Sequence, residues 1–532
     1  MKSVHHTTPD SVSSIDKQIG RWTQELFHLY ERVAPRFARA EPRRHALAYL
    51  EGLLSSIERK NGWQLAQHAG DARPYGIQRV LSSAVWDADL VRDDVRHYVL
   101  EHFFDPQGVF VIDECCIPKK GTQSAGVQPQ YCGATGRVEN CQVGVFLSYV
   151  GSQAHTLIDR ELYLPHAWTK KLRHCQLTDG TACVRFQTKC ELARQMLARC
   201  FREHIPVSWV VADCVYGSNE RLCRWLEEQA CPYVMGLRDN DTVALFTQAG
   251  RQLLKVKDVP ARFLQPGDWH RLACGQGTHG PRLFDWACLP LLQPWEQDGQ
   301  HWLLFRRCLN DPNKVDAYRV FAPAGTSLQE MVWAFGARWH IEEDFACGKD
   351  MGLDHYEVRS WTGWYRHMTL CLLAQAFLSV ISQQERSADA VAQVTSQVTS
   401  QVTSQVTSQV TSQVTSQVTS QVTSQVTSQV TSQVTSQVTS QVTPAHRAGL
   451  APQALAPQAL APQALAPQAL APQALAPQAL APLTRREIRH LLSTVLCPPR
   501  IDLPFLAGWS RWRRGHYYQA CVGHLKRRFR SG

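Results

Sequence analysis

The stretch GVFVID (Gly108–Asp113) decides how this chain is read. Four consecutive apolar residues in so short a run suit a strand buried on both faces, and the run ends in a carboxylate. A second stretch, WVVAD (Trp209–Asp213), repeats the pattern. A charge closing an apolar strand needs a partner. Taken alone, each Asp is equally well explained as a turn residue or helix N-cap after its strand. Two together suggest a site, because ligands in open α/β sheets bind at the carboxyl ends of strands and hard divalent cations take oxygen ligands.

Around these two strands the texture is mixed. CQVGVFLSYVG (141–151) and HTLIDRELYLP (155–165) read as strands, QTKCELARQMLARCFREH (187–204) as an amphipathic helix, NERLCRWLEEQ (219–229) as a helix and PYVMGLR (232–238) as a strand. The order β-β-β-α-β-α-β predicts a mixed α/β core over residues 105–236. Residues 237–328 are strand-like and turn-rich and read as an insertion. Helices are expected again over 329–386. Before the core, residues 16–104 read as a helical domain: DADLVRDDVRHYVLEHFF carries Leu90, Val91, Val95, Val99 and Leu100 at helical spacing. The cluster Arg32, Arg36, Arg39, Arg43 and Arg44 suits a DNA-binding module there, although a helical cap on the core explains it nearly as well.

Two perfect repeats follow, twelve copies of QVTS from Gln393 and six of APQAL from Ala451. Periods of four and five are too short for a solenoid unit. Val is the only apolar residue of the first repeat, and Pro at every fifth position of the second forbids a continuous helix. Residues 387–483 are therefore expected to be a disordered linker. The remaining 484–532 form a basic tail, with 11 Arg and Lys against 2 acids, which accounts for nearly all of the chain's net charge of +10. Cations there, interleaved with Trp and Tyr, suit phosphates and bases. The 18 cysteines show no CxxC pair and no zinc spacing, so reduced thiols in a cytosolic protein are expected. No run of about 18 apolar residues predicts a membrane span, and the N-terminus MKSVHHTTPDSVSS has no apolar h-region.

A third group of acids lies in ARWHIEEDFACGKD (Ala337–Asp350). On a single helix at about 100° per residue, Glu342 shares a stripe with Phe335, Arg338, Trp339, Phe345 and Lys349, while Glu343 and Asp344 point about 100° and 200° away. That phase singles out Glu342 and assigns its two neighbours to solvent. An i,i+4 ion pair with Arg338 is the plain alternative for Glu342.

The spacing Arg338-x3-Glu342-x6-Lys349 resembles the Y-x2-R-x3-E-x6-K signature of DDE insertion-sequence transposases, with Phe335 in place of Tyr. VIDECCIPKKGTQSAGVQPQYCGATGRVENCQVGV (111–145) resembles the first-Asp region of insertion-sequence family 701. VVADCVYGSNE (210–220) resembles its second-Asp region, GLDHYEVRSWTGWYRHMTLCLLAQAFL (352–378) its post-Glu region, and WRRGHYYQACVGHLKRR (512–528) its C-terminal end. The resemblance implies an RNase H-like catalytic core with a strand-rich insertion, in which Asp113, Asp213 and Glu342 act as catalytic residues and hold two Mg²⁺ ions, with Mn²⁺ as a substitute. It implies phosphate contacts from Arg338 and Lys349. Lys119 and Lys120, just before GTQSAGVQPQYCG, and Arg513 and Arg514 in the tail are further DNA-binding candidates. The implied partners are double-stranded DNA, both transposon terminal repeats and target, with a homodimer as the active assembly in the bacterial cytosol. After Asp113, Glu-Cys-Cys replaces the Asp-Thr-Gly common in the family, and a catalytically impaired DNA-binding derivative is the alternative.

Overall fold

The computed structural model describes residues 9–133, 135–172, 185–247, 250–277, 280–291, 300–440, 482–496 and 502–528. Helices α1 (Pro9–Val33), α2 (Ala40–Leu54), α3 (Gly62–His68), α4 (Tyr75–Ser82) and α5 (Ala88–Phe103) come first. The core follows as β1 (Val109–Pro118), β2 (Gln128–Cys132), β3 (Arg137–Val150), β4 (His155–Tyr163), α6 (His166–Leu172), α7 (Lys189–Arg202), β5 (Trp209–Ala212), α8 (Cys214–Gly217), α9 (Glu220–Glu228) and β6 (Tyr233–Leu237). Next are β7 (Thr242–Thr247), β8 (Gly250–Lys255), α10 (Val259–Phe263), β9 (His270–Gly277), β10 (Gly280–Pro290), β11 (His301–Arg307) and β12 (Val315–Phe321). The chain closes with α11 (Leu328–Gly336), α12 (Trp339–Asp350), α13 (Trp361–Ser440), α14 (Arg485–Val495) and α15 (Leu503–Arg528).

The main sheet runs β2-β3-β1-β5-β6-β12-β11-β10-β9, with β4 also on β3. β1, β3 and β4 pair antiparallel, whereas β5 and β6 run parallel to β1. This is the RNase H-like arrangement expected above, with the first two acids on neighbouring strands. The strand-rich segment continues the core sheet. β12 pairs antiparallel with β6, so β9 to β12 prolong the core sheet, and β7 and β8 form a separate ribbon.

The long apolar run of β1 is buried, as its composition requires, and the first part of α13 is buried on every side from Met368 to Ile381. The N-terminal helices pack on the core through α5 and β4. The buried carboxylate of Asp159 on β4 accepts two bonds from Arg199 of α7, at 3.0 and 3.1 Å, and one from Arg96 of α5 at 3.4 Å. Two members of the early arginine cluster are also engaged within the cap, Arg32 on Glu101 and Arg36 on Asp94.

Residues Glu385–Pro482 form a unit of their own. α13 continues through the QVTS copies to Ser440. They hold no Pro or Gly, and their hydroxyls bond back onto the helix, as Ser404 Oγ does to Gln401 O at 2.9 Å. A residue repeating every fourth position advances about 40° per repeat around a helix. The valines therefore spiral instead of forming a stripe, and Val402 to Val430 are each just over half exposed. The APQAL copies lie outside the described residues.

Candidate active site

Strand register brings the first two acids together. β1 and β5 pair in parallel with Ile112 opposite Ala212, so Asp113 and Asp213 follow side by side at the strand ends. Each spends one oxygen on local backbone: Asp113 Oδ1 accepts from Glu114 N at 2.7 Å, and Asp213 Oδ1 caps α8 by accepting from Val215 N at 2.9 Å. The N-cap alternative for Asp213 is thus realised, and its second oxygen is left over. The turn that aims Asp213 packs directly on β6. A Cβ on Gly236 would stand 2.7 Å from Cys214 N, and one on Gly217 only 1.9 Å from Gly236 O.

Sequence reasoning missed the third member of this group. Carboxylate oxygens of Asp113, Glu114 and Asp213 all lie within 4.8 Å of one another. Glu114 belongs to the Glu-Cys-Cys departure, and it is held by Lys189 Nζ at 2.5 Å and Tyr216 Oη at 3.0 Å. Burial and the neighbouring acids push Asp113 up to about 7, against the pull of Arg338. Asp213 is raised by burial and by Glu114.

Glu342 stands apart from that group, and Arg338 lies between. Its guanidinium is 3.7 Å from Asp113 Oδ2 and 3.8 Å from Glu342 Oε1. The i,i+4 pair with Arg338 therefore exists, with Asp113 as a second partner of the same cation. Lys349 lies in the last turn of α12, near enough to β1 for its charge to oppose the burial that lifts the Cys115 thiol to about 12. Phe335 is buried at 4.6 Å from the ring of Tyr318 and 5.3 Å from Trp286, with Arg306 over its face at 5.2 Å.

The placing of Asp344 toward solvent is wrong. Asp344 is fully buried. Its Oδ1 takes bonds from Arg485 Nη1 at 2.9 Å and His155 Nδ1 at 2.8 Å, and its Oδ2 one from Ser148 Oγ at 2.6 Å. These partners hold its carboxyl down at about 2 despite burial. The stripe was set by Phe335, which belongs to α11, and by Trp339, whereas the face that α12 buries carries Ile341, Asp344, Phe345 and Gly348. α11 ends at Gly336 and the chain turns at Ala337 and Arg338 before α12 begins. A Cβ on Gly336 would stand 1.9 Å from Cys274 O, so α11 meets β9 backbone to backbone there. Trp339, assigned to the buried stripe, is 44% exposed. Glu343 is partly exposed but not free: its carboxylate is held well below the usual range by His155 and His340.

Of the remaining candidates, Lys119 is pinned. Its Nζ donates to Tyr356 O and lies 5.2 Å over the Tyr356 ring, and burial lowers its ammonium to about 8. Lys120 is exposed. Arg513 donates to Gln67 Oε1 at 2.8 Å, tying α15 to α3, while Arg514 is exposed. A cavity of about 730 Å³ opens beside Arg338, between β9–β10 and α11–α12, and is lined by Arg282, Arg306, Phe284, Phe335 and Trp339. No helix among the described residues is long and apolar enough to cross a membrane.

Residues 32–282 match the family of DDE superfamily endonucleases, a span that includes Asp113 and Asp213 and stops short of Glu342. The chain is similar to the probable transposase for insertion sequence element IS701 of Microchaete diplosiphon, 26% identical over 212 residues. That alignment covers 40% of this chain and 53% of the relative, so the chain spans about half the length of the curated protein it matches. Among solved structures, a piggyBac transposase synaptic complex with hairpin DNA aligns with a TM-score of 0.37 and 10% identity over 66% of this chain and 67% of that one. A score that low establishes no shared fold, and the fold assignment rests on the strand order. The resemblance read from the sequence to the DDE insertion-sequence transposases is upheld by the endonuclease match and the IS701 relative.

Proposed function

We propose that this chain is a DDE transposase that cuts and joins DNA at transposon ends through Asp113, Asp213 and Glu342. The observation that carries the reading is the register of β1 on β5, which sets Asp113 beside Asp213, with Glu342 linked to Asp113 through the single cation Arg338. The endonuclease match over 32–282 supports the same reaction class.

The donor set suits Mg²⁺, with Mn²⁺ as its substitute. It offers oxygen only, and burial beside Glu114 raises both Asp113 and Asp213, a cost of negative charge that a hard cation would offset. Asp113, Asp213 and Glu342 would hold two ions, which supply activation of the attacking oxygen and charge relief at the leaving oxygen of a phosphodiester. The chain's own groups do the rest. Arg338, no longer needed to neutralise Asp113 and Glu342, turns its planar donors to a DNA phosphate. Lys349 holds a second phosphate along α12. Lys189 pairs with Glu114, which leaves Asp113 and Asp213, together with Glu342, to take the ions. Water attacks first and frees a 3′-hydroxyl, which then attacks target DNA. Lys120, Arg514 and the cavity beside Arg338 offer further contact to double-stranded DNA, with Lys119 and Arg513 as packed supports, and a homodimer brings two ends together.

The test is cleavage of DNA carrying the ends that flank this gene, with Mg²⁺ and with chelator. Asp113→Ala, Asp213→Ala and Glu342→Ala are each expected to abolish cleavage and keep DNA binding, whereas Glu343→Ala retains cleavage. Loss in Glu343→Ala with activity kept in Glu342→Ala would reverse the assignment of the third acid.

A further inference from the structure

Behind the proposed triad stands a second cluster of ligand-type side chains. His155 opens β4, and His340 and Glu343 lie in the first turns of α12. His155 Nε2 is 3.2 Å and His340 Nδ1 3.4 Å from the same oxygen, Glu343 Oε2. The two imidazoles are 4.4 Å apart, and one ligand atom from each of the three residues lies within 4.8 Å of the others. Ligands about 2.0–2.2 Å from one tetrahedral ion lie roughly 3.3–3.5 Å apart, close to the distance of each imidazole nitrogen from Glu343 Oε2.

The orientation of His155 is fixed from behind. Its Nδ1 donates to Asp344 Oδ1 at 2.8 Å, and Asp344 is itself held by Ser148. That bond leaves Nε2 turned to Glu343. A carboxylate behind an imidazole is the outer support that metal-ligating histidines use, and it raises the basicity of the facing nitrogen. Two guanidiniums border the cluster. Arg282 is 3.6 Å from Glu343 Oε1, the oxygen that the histidines do not share. Arg485 is anchored through Nη1 on Asp344, and its Nη2 lies 3.4 Å from His155 Nε2, a contact that an ion at that nitrogen would displace.

We propose that His155, His340 and Glu343 form a binding site for a transition-metal dication of the zinc class, with water as the fourth ligand. Its two nitrogens set it apart from the oxygen-only group at Asp113, Glu114 and Asp213. An ion there would fasten the start of α12 to β4, one residue from Glu342. The claim is independent of the transposase reading.

The experiment uses the full chain, stripped with chelator and dialysed against Zn²⁺ in excess Mg²⁺, which occupies oxygen-only sites. One Zn²⁺ retained per chain is expected, with affinity falling at least about tenfold in His340→Ala and in Glu343→Gln. Co²⁺ in the same protein should show the visible absorption of a nitrogen-ligated, low-coordinate ion, and both variants should lose it. His340 is half-buried and outside the apolar core, so its variant tests the ligand, and a thermal melt confirms folding. Zn²⁺ retained equally by both variants, or none retained by the folded wild type, overturns the site.

Discussion

Arg485 Nη1 lies 2.9 Å from Asp344 Oδ1, joining the start of α14 to the interior of α12 across 141 positions of sequence. The acid is fully buried and the cation nearly so. Removing one member of a buried ion pair strands the other charge, at a cost of about 3–5 kcal/mol. Arg485→Ala should therefore lower the urea-unfolding free energy by that order. The paired apolar variant Asp344→Leu/Arg485→Met should recover part of it, since both charges leave together. A loss of roughly half a kcal/mol or less in Arg485→Ala, the size of an exposed pair, would show the contact to be idle.

This pair also shows where the sequence stops speaking. Asp113 and Asp213 were legible because each ends a short apolar run, and strand register then sets them side by side without further information. The pair of Arg338 with Glu342 was legible from its i,i+4 spacing. Asp344 was not, since its polarity matched a solvated face and its partners, Ser148, His155 and Arg485, come from three distant segments. Glu114 was hidden for a different reason. It read as a departure from a family motif, and only the folded chain brings Lys189 and Tyr216 to it.

Asp113 should destabilise the metal-free fold. Its folded value of about 7 lies above the free value of 3.8, so the stability it contributes is present below pH 3.8 and lost as pH rises through 7. Asp113→Asn removes that loss. In chelator the variant is expected to be more stable than wild type by about 2–4 kcal/mol at pH 8, with a smaller gain at pH 5. Paired denaturation curves at the two pH values decide it. A variant no more stable at pH 8 than wild type would mean that the site is already relaxed around a charged Asp113.

His367 has the opposite sign. It is buried, accepting from Tyr49 Oη through Nδ1 at 2.7 Å and donating from Nε2 to Gly352 O at 3.0 Å. A carbonyl can only accept, so the ring is neutral with its proton on Nε2. Burial lowers its value from 6.5 to about 4. Its contribution is therefore full above pH 6.5 and is lost as pH falls toward 4, by about 3 kcal/mol in total. Wild type should lose stability over that window faster than His367→Gln, read as urea midpoints at pH 7, 5.5 and 4.5. Parallel slopes for the two proteins would place the acid sensitivity elsewhere.

The repeats can be tested by removal. Ser382 Oγ on α13 bonds Leu483 O at 3.4 Å, so the chain leaves and rejoins the main unit at neighbouring points. Val394 to Val430 are each more than half exposed, and a helix that buries so little adds little to the stability of anything beyond itself. Replacing residues 393–481 by a short Gly-Ser linker should thus leave the thermal midpoint of the main unit within about 2 °C of wild type, because a shorter loop changes closure entropy only slowly. The far-UV signal at the helical minimum should shrink in proportion to the lost QVTS turns. Loss of the cooperative transition would show that the repeats are part of the folded unit, and an unchanged helical signal would show that they are not helical in solution.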